Sequence, residues 1–147
     1  MPKAKDFFTV AESEQIVQAI RDAEKATSGE IRVHLEEKCK GDALERAIAL
    51  FDILKMDVTE LHNGVIIYLA VEDKKFAIYG GKGINEKVPA NFWQQTRDVM
   101  QAHFKEGRFA QGLSEGILQA GQQLKTYFPY QKEDANELDD NISYHHD

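Results

Sequence analysis

The sequence predicts an α/β chain: a three-layer α/β/α sandwich around a small mixed sheet, with one parallel crossover, one hairpin and about four main helices. Three observations carry that reading. Stretches with apolar residues at helical spacing alternate with short strand-like runs. One run, Val65-Ile66-Ile67-Tyr68-Leu69-Ala70-Val71, is apolar on both faces, as a central strand covered by helices is. A whole helix separates it from the preceding strand, so the two are expected to run parallel through a right-handed crossover.

Taken in order, Thr9 with Glu12 forms a capping box, and Ile16, Ile20 and Ala23 recur behind it, predicting a helix over residues 10–27. Ser28-Gly29 stops it. Residues 30–37 then alternate, Ile31, Val33 and Leu35 on one face and Arg32, His34 and Glu36 on the other, which reads as a strand with one buried and one polar face. Asp42 and Glu45 repeat the capping logic, and Leu44, Ile48, Phe51 and Leu54 or Lys55 trace the apolar stripe of a second helix ending near Met56. Turn formers fill residues 57–64.

After the apolar strand, Glu72-Asp73-Lys74-Lys75 is a charged turn into Phe76-Ala77-Ile78-Tyr79, a hairpin. Gly80-Gly81-Lys82-Gly83 follows. Pro89 suits the first position of a helix with a face of Phe92, Trp93, Thr96, Val99, Met100, His103 and Phe104, which Gly107 ends as a left-handed cap. Leu113, Ile117, Ala120, Leu124 and Phe128 define a last helix, in which Gly112, Gly116 and Gly121 permit close packing, and Pro129 closes it. Residues 1–129 thus read as one domain and 130–147 as an acidic tail, with Tyr130, Leu138, Ile142 and Tyr144 as the groups available to pin it.

Composition bounds the function. The 147 residues carry 42% hydrophobic and 29% charged content, the profile of one globular domain large enough to fold without disulfides or a structural metal. One thiol, Cys39, allows no intrachain disulfide, which points to a reducing compartment; no apolar run reaches signal-peptide or membrane-spanning length, so a cytoplasmic chain is expected. The net charge of −7 argues against nucleic acid as a partner. Six acids and one base lie in residues 130–147, so the acidity is mostly a tail property and offers a docking arm for a protein partner. A monomer is expected.

Ser28-Gly29-Glu30-Ile31-Arg32-Val33, Asn63-Gly64-Val65-Ile66-Ile67-Tyr68, Gly80-Gly81-Lys82-Gly83-Ile84, Phe92-Trp93 and Phe104-Lys105-Glu106-Gly107-Arg108-Phe109-Ala110-Gln111-Gly112-Leu113 together resemble the TPM domain family, in its short, unanchored bacterial branch. The resemblance implies an α/β/α sandwich, divalent-cation binding with calcium in some members, and a phosphatase activity claimed for a plant member. One position departs from the pattern. Where short relatives carry an aspartate in Gly-Asp-x-Gly-Ile, this chain has Gly81.

With the expected topology, the starts of the first two strands and the end of the third meet at one sheet edge. Glu30, Asp57, Asn63 and Glu86 would be hard oxygen donors there for calcium or magnesium, with Glu60 nearby. Gly80, Gly81, Lys82 and Gly83 would offer backbone N–H groups and a cation to a phosphate, or else serve only as positive-φ turn residues. A rival acidic group, Glu36, Glu37, Asp42, Glu72 and Asp73, belongs to the opposite edge. His34, His62 and His103 read as structural or solvated, and Cys39, flanked by Lys38 and Lys40, as an incidental, partly exposed thiol. Two functions follow: a divalent-cation-binding interaction module, or a metal-assisted phosphomonoester phosphatase using the glycine loop.

Overall fold

The structure, a computed structural model, describes residues 7–56, 63–130 and 142–144. Along the chain run α1 (Val10–Ala26), β1 (Glu30–Glu36), α2 (Ala43–Ile53), β2 (Gly64–Ala70), β3 (Lys75–Gly80), α3 (Lys82–Asn85), α4 (Gln94–Lys105), α5 (Phe109–Leu124) and β4 (Ser143–Tyr144). The sheet order is β3-β2-β1-β4. β1 and β2 pair in parallel from Glu30↔Gly64 to Glu36↔Ala70, and β2 and β3 pair antiparallel from Val65↔Gly80 to Ala70↔Lys75. The expected crossover and hairpin are both present.

Three helix ends have a clear chemical cause. The Thr9 capping box is complete, with Thr9 N–H donating to Glu12 Oε1 (2.9 Å) and Glu12 N–H to Thr9 Oγ1 (3.1 Å). Asp42 Oδ2 accepts from the Glu45 N–H at 3.0 Å and opens α2. Gly107, at φ +80°, ends α4: its N–H donates to Phe104 O (3.0 Å) while the Arg108 N–H reaches His103 O (2.9 Å), the paired pattern of a left-handed glycine cap.

Two cores flank the sheet. Ile31, Val33, Leu35, Val65, Ile67, Leu69 and Ile78 join the larger one with α1, α4 and α5. Ile66, Tyr68, Ala70 and Ala77 join the smaller one with Ala47, Leu50, Phe51 and Met56 of the α2 region. The α5 glycines are sites of close approach. A Cβ at Gly112 would lie 2.6 Å from Phe104, at Gly116 2.5 Å from Met100, and at Gly121 2.8 Å from Ala23.

Four expectations need correction. The second face of β1 is not solvated: His34 and Glu36 are each 1% exposed, because α2 covers that side of the sheet. α2 turns Ala47, Leu50 and Phe51 inward and leaves Leu44 and Ile48 exposed, the small Ala47 letting the helix lie close to the strands. Pro89 opens a turn, with Phe92 N–H donating to Pro89 O, and α4 starts only at Gln94; the short α3 was not expected. Finally, β4 adds a fourth, unexpected strand parallel to β1 through His34↔Ser143 and Leu35↔Tyr144, while Ile142, one of the groups expected to pin the tail, enters the larger core. No helix among the described residues is long and apolar enough to cross a membrane.

Candidate functional site

The sheet edge carrying the strand starts of β1 and β2 and the end of β3 gathers most of the residues singled out from the sequence. The Glu30 N–H donates to Asn63 O at 3.1 Å, and the Gly81 N–H to Gly64 O at 2.9 Å, so the three segments meet through their backbones. Glu30 is 6% and Asn63 2% exposed. Asn63 Nδ2 donates to Ser28 O (3.0 Å), which leaves Oδ1 as the amide's accepting atom. Asp57 and Glu60 lie outside the described residues, as does His62. Glu86, exposed at the end of α3, pairs with the still more exposed Lys82 at 4.0 Å.

The glycine run is built by proximity. Gly81 has φ −65° and ψ −178°, an ordinary extended conformation, and Gly107 has the one positive φ among the described glycines. A Cβ on Gly80 would meet Ile84 at 2.9 Å, and a Cβ on Gly81 would meet Phe51 Cζ at 2.6 Å. The Phe51 ring therefore occupies the space from which an aspartate side chain at position 81 would grow. Gly80 pairs with Val65 in the sheet, and Gly83 lies in the first turn of α3, whose Ile84 and Asn85 N–H groups both donate to Gly81 O. Among the described residues, no group of three or more His, Cys, Asp or Glu side chains is arranged to hold a metal ion.

The opposite end of the sheet holds a buried polar network. Arg46 of α2 grips Glu36 with two nitrogens, Nε to Oε1 at 2.8 Å and Nη2 to Oε2 at 2.5 Å, and Tyr68 donates its hydroxyl to Oε1 at 2.8 Å. His34 stacks beside Tyr68, places Nε2 3.8 Å from Glu36 Oε2, and meets Ser143 Oγ through Nδ1 at 2.7 Å. Ser143 Oγ also lies 3.2 Å from Val33 O, so a hydroxyl that donates there accepts from a His34 Nδ1–H. Burial alone would raise the Glu36 carboxyl, but the bonds from Arg46 and Tyr68 and the charges of Arg46 and His34 outweigh it and hold the group below its ordinary range. Burial, with the neighbouring Glu36 and Cys39, pushes the Tyr68 phenol far upward.

A cleft of about 570 Å³ opens beside this network, lined by Glu36, Cys39, Asp42 and Arg46 among others. Its loop is clamped: Asp73 accepts from the Cys39 N–H (2.8 Å) and Lys75 donates to the carbonyls of Cys39 and Gly41. Glu36, Asp42 and Asp73 of the rival acidic group are thus engaged with protein donors. Cys39 is 6% exposed, more buried than expected, with Sγ against Gly41 O. His103 is structural, accepting from Arg108 Nε and pairing with Glu115. The periodicity concealed the network because its members sit on a face that reads as polar; the parallel register placing His34 beside Tyr68, whose hydroxyl needs a partner in an apolar strand, was the available signal.

A mixed α/β/α sandwich with this glycine edge defines a recognisable class of small domain. The TPM domain family model matches residues 3–123, and the chain belongs to that family. It is similar to the BA42 protein from the psychrophilic bacterium Bizionia argentinensis, known from an NMR structure, with 54% identity and a TM-score of 0.91 over 99% of this chain and 100% of that one. The fold is shared with the N-terminal domain of a P. gingivalis protein (22% identity, TM-score 0.65, 82% of this chain and 78% of that one). It is shared as well with the N-terminal domain of the cg2496 protein from Corynebacterium glutamicum (14% identity, TM-score 0.62, 95% and 82%). No curated protein matches the chain.

Proposed function

We propose that this TPM domain is a binding module for a hard divalent cation, calcium or magnesium, seated at the glycine edge, with the acidic tail as an arm for a protein partner. One observation carries the reading: Glu30 and Asn63, a carboxylate and an amide, are both buried and are joined backbone to backbone where the strand starts meet. In such a low-dielectric setting a cation's charge is worth more to a carboxylate than in water. Glu30 and the Asn63 amide oxygen are the donors that would hold it, being the oxygen ligands these ions prefer; carbonyls of the edge can add to the set. The phosphatase reading has less behind it. The Gly81 N–H is committed to Gly64 O, Lys82 is 85% exposed at its side chain, and Phe51 fills the space an aspartate at position 81 would need.

Calorimetric titration of the full chain with calcium and with magnesium tests the proposal. Saturable binding is expected, with affinity lost in Glu30→Gln and kept in Asp73→Asn, whose carboxylate serves the opposite end of the sheet. No saturable heat up to about 10 mM, beyond the roughly millimolar range of the weakest calcium modules, would overturn it.

A further inference from the structure

We propose that the cleft between the start of α1 and the first turns of α5 is a receptor for one carboxylate group, offered by a small free acid or by the C-terminus of a peptide. It is separate from the glycine edge and stands without it. The cleft holds about 550 Å³ and is lined in part by residues 107–111, which belong to a stretch carrying part of the family resemblance and have no role in the cation site, with α1 and Ser114 completing it.

The first observation is an uncapped helix start. α1 and α2 open on Thr9 and Asp42 side chains that accept from backbone N–H groups, whereas Arg108 at the start of α5 gives no side-chain cap. The first backbone bond there is Gly112 N–H to Arg108 O at 2.9 Å, so the N–H groups of Phe109, Ala110 and Gln111 precede the helical ladder. Together with the helix dipole they favour negative charge over this 16-residue helix.

The second observation is independent. Ser114 lines the same cleft, is 5% exposed, and its buried Oγ has no hydrogen-bond partner. Helical side chains lean toward the N-terminus, so Ser114, three and four residues beyond Gln111 and Ala110, carries its hydroxyl over that first turn. A buried hydroxyl left unpaired costs stability, and an acceptor arriving from the cleft would satisfy it.

The charges around the cleft select the ligand. Arg108 supplies a cation, positioned by its Nε on His103 Nδ1 at 3.1 Å. Two carboxylates also line the cleft, already engaged: Glu12 with the Thr9 N–H and Glu115 with His103. One negative charge on a ligand is balanced by Arg108 and the helix end, while a second would face Glu12 and Glu115. A planar monoanion fits these terms, and a phosphate dianion does not.

Amide NMR of the full chain tests this with acetate, with triglycine in free-acid and amidated forms, and with inorganic phosphate. The Phe109, Ala110 and Gln111 amides are expected to shift saturably with acetate and free-acid triglycine, and not with the amidated peptide. Tighter binding of triglycine assigns the source to a peptide end, and equal affinity to a small acid. Ser114→Ala should melt no lower than the wild type, having shed an unpaired hydroxyl, yet bind about tenfold more weakly, the value of one hydrogen bond to a charged group. Non-saturating shifts, tighter binding of phosphate than of acetate, or unchanged affinity in Ser114→Ala would overturn the proposal.

Discussion

At Glu36 the chain buries a carboxylate to 1% exposure and surrounds it with Arg46, Tyr68 and His34. Removing one member of a buried ion pair strands the other, so Glu36→Gln is expected to cost about 3 kcal/mol, or roughly 6–12 °C of melting temperature. The pH dependence follows from the direction of the shift. With its folded pKa held below the ordinary 4.5, the Glu36 stabilisation is complete above that pH. As the pH falls below 4.5 the unfolded chain binds the proton first, and the contribution drains away until the folded carboxyl titrates too. Tyr68, raised from 10.0, works the other way: its contribution is intact below pH 10 and declines above it, where only the unfolded phenol ionises. Melting curves between pH 3 and 11 check both limbs. The acid limb should flatten in Glu36→Gln and the alkaline limb in Tyr68→Phe, and an acid limb unchanged in Glu36→Gln would mean that other carboxylates carry it.

At the scale of elements, α5 shows why its glycines are worth their poor helix propensity. Gly121 faces Ala23, whose Cα and carbonyl oxygen would lie 2.9 and 3.1 Å from an added Cβ; both are backbone atoms that cannot turn away. Gly116 faces the Met100 side chain, which has rotamers to spare. Alanine recovers about 1 kcal/mol of propensity at either place, against an overpacking cost of about 1–3 kcal/mol. Gly121→Ala should therefore lower the melting temperature and Gly116→Ala should change it less; calorimetry on the two variants checks the order, and the reverse order would place the tight contact at Met100. The close packing of α5 was legible because its apolar stripe is clean and its glycines stand beside it. α2 was not legible in the same way. Ala43, Leu44, Ala47, Ile48, Leu50, Phe51, Ile53 and Leu54 surround that helix with apolar groups, so the stripe traced by periodicity through Leu44, Ile48 and Phe51 was not the buried one, and packing depth against the sheet selected Ala47, Leu50 and Phe51 instead.

Over the whole molecule, the crossover and hairpin were readable because they follow from which elements neighbour one another in sequence. The same is true of the glycine edge, whose three segments meet by topology alone. β4 follows from no such rule: it pairs two residues with a strand more than a hundred positions earlier, a contact invisible to periodicity. Its energetic weight is nonetheless testable. Ile142 is 8% exposed within the larger core, and Ser143 bonds both to His34 and to the Val33 carbonyl, so β4 also covers part of the β1 edge. A strand edge with unpaired backbone groups invites pairing with another chain. Deleting residues 142–147 should thus do two things. Loss of the Ile142 burial, about 1.5–3 kcal/mol, lowers the melting temperature by roughly 3–12 °C. Exposure of Val33 and Leu35 along the edge also promotes self-association, visible in sedimentation velocity as a concentration-dependent shift that a synthetic peptide of residues 142–147 suppresses. Melting and sedimentation both indistinguishable from the full chain would mean that β1 needs no cover, and that Glu24, whose Oε2 accepts from the Ile31 N–H at 3.1 Å, protects the edge well enough by itself.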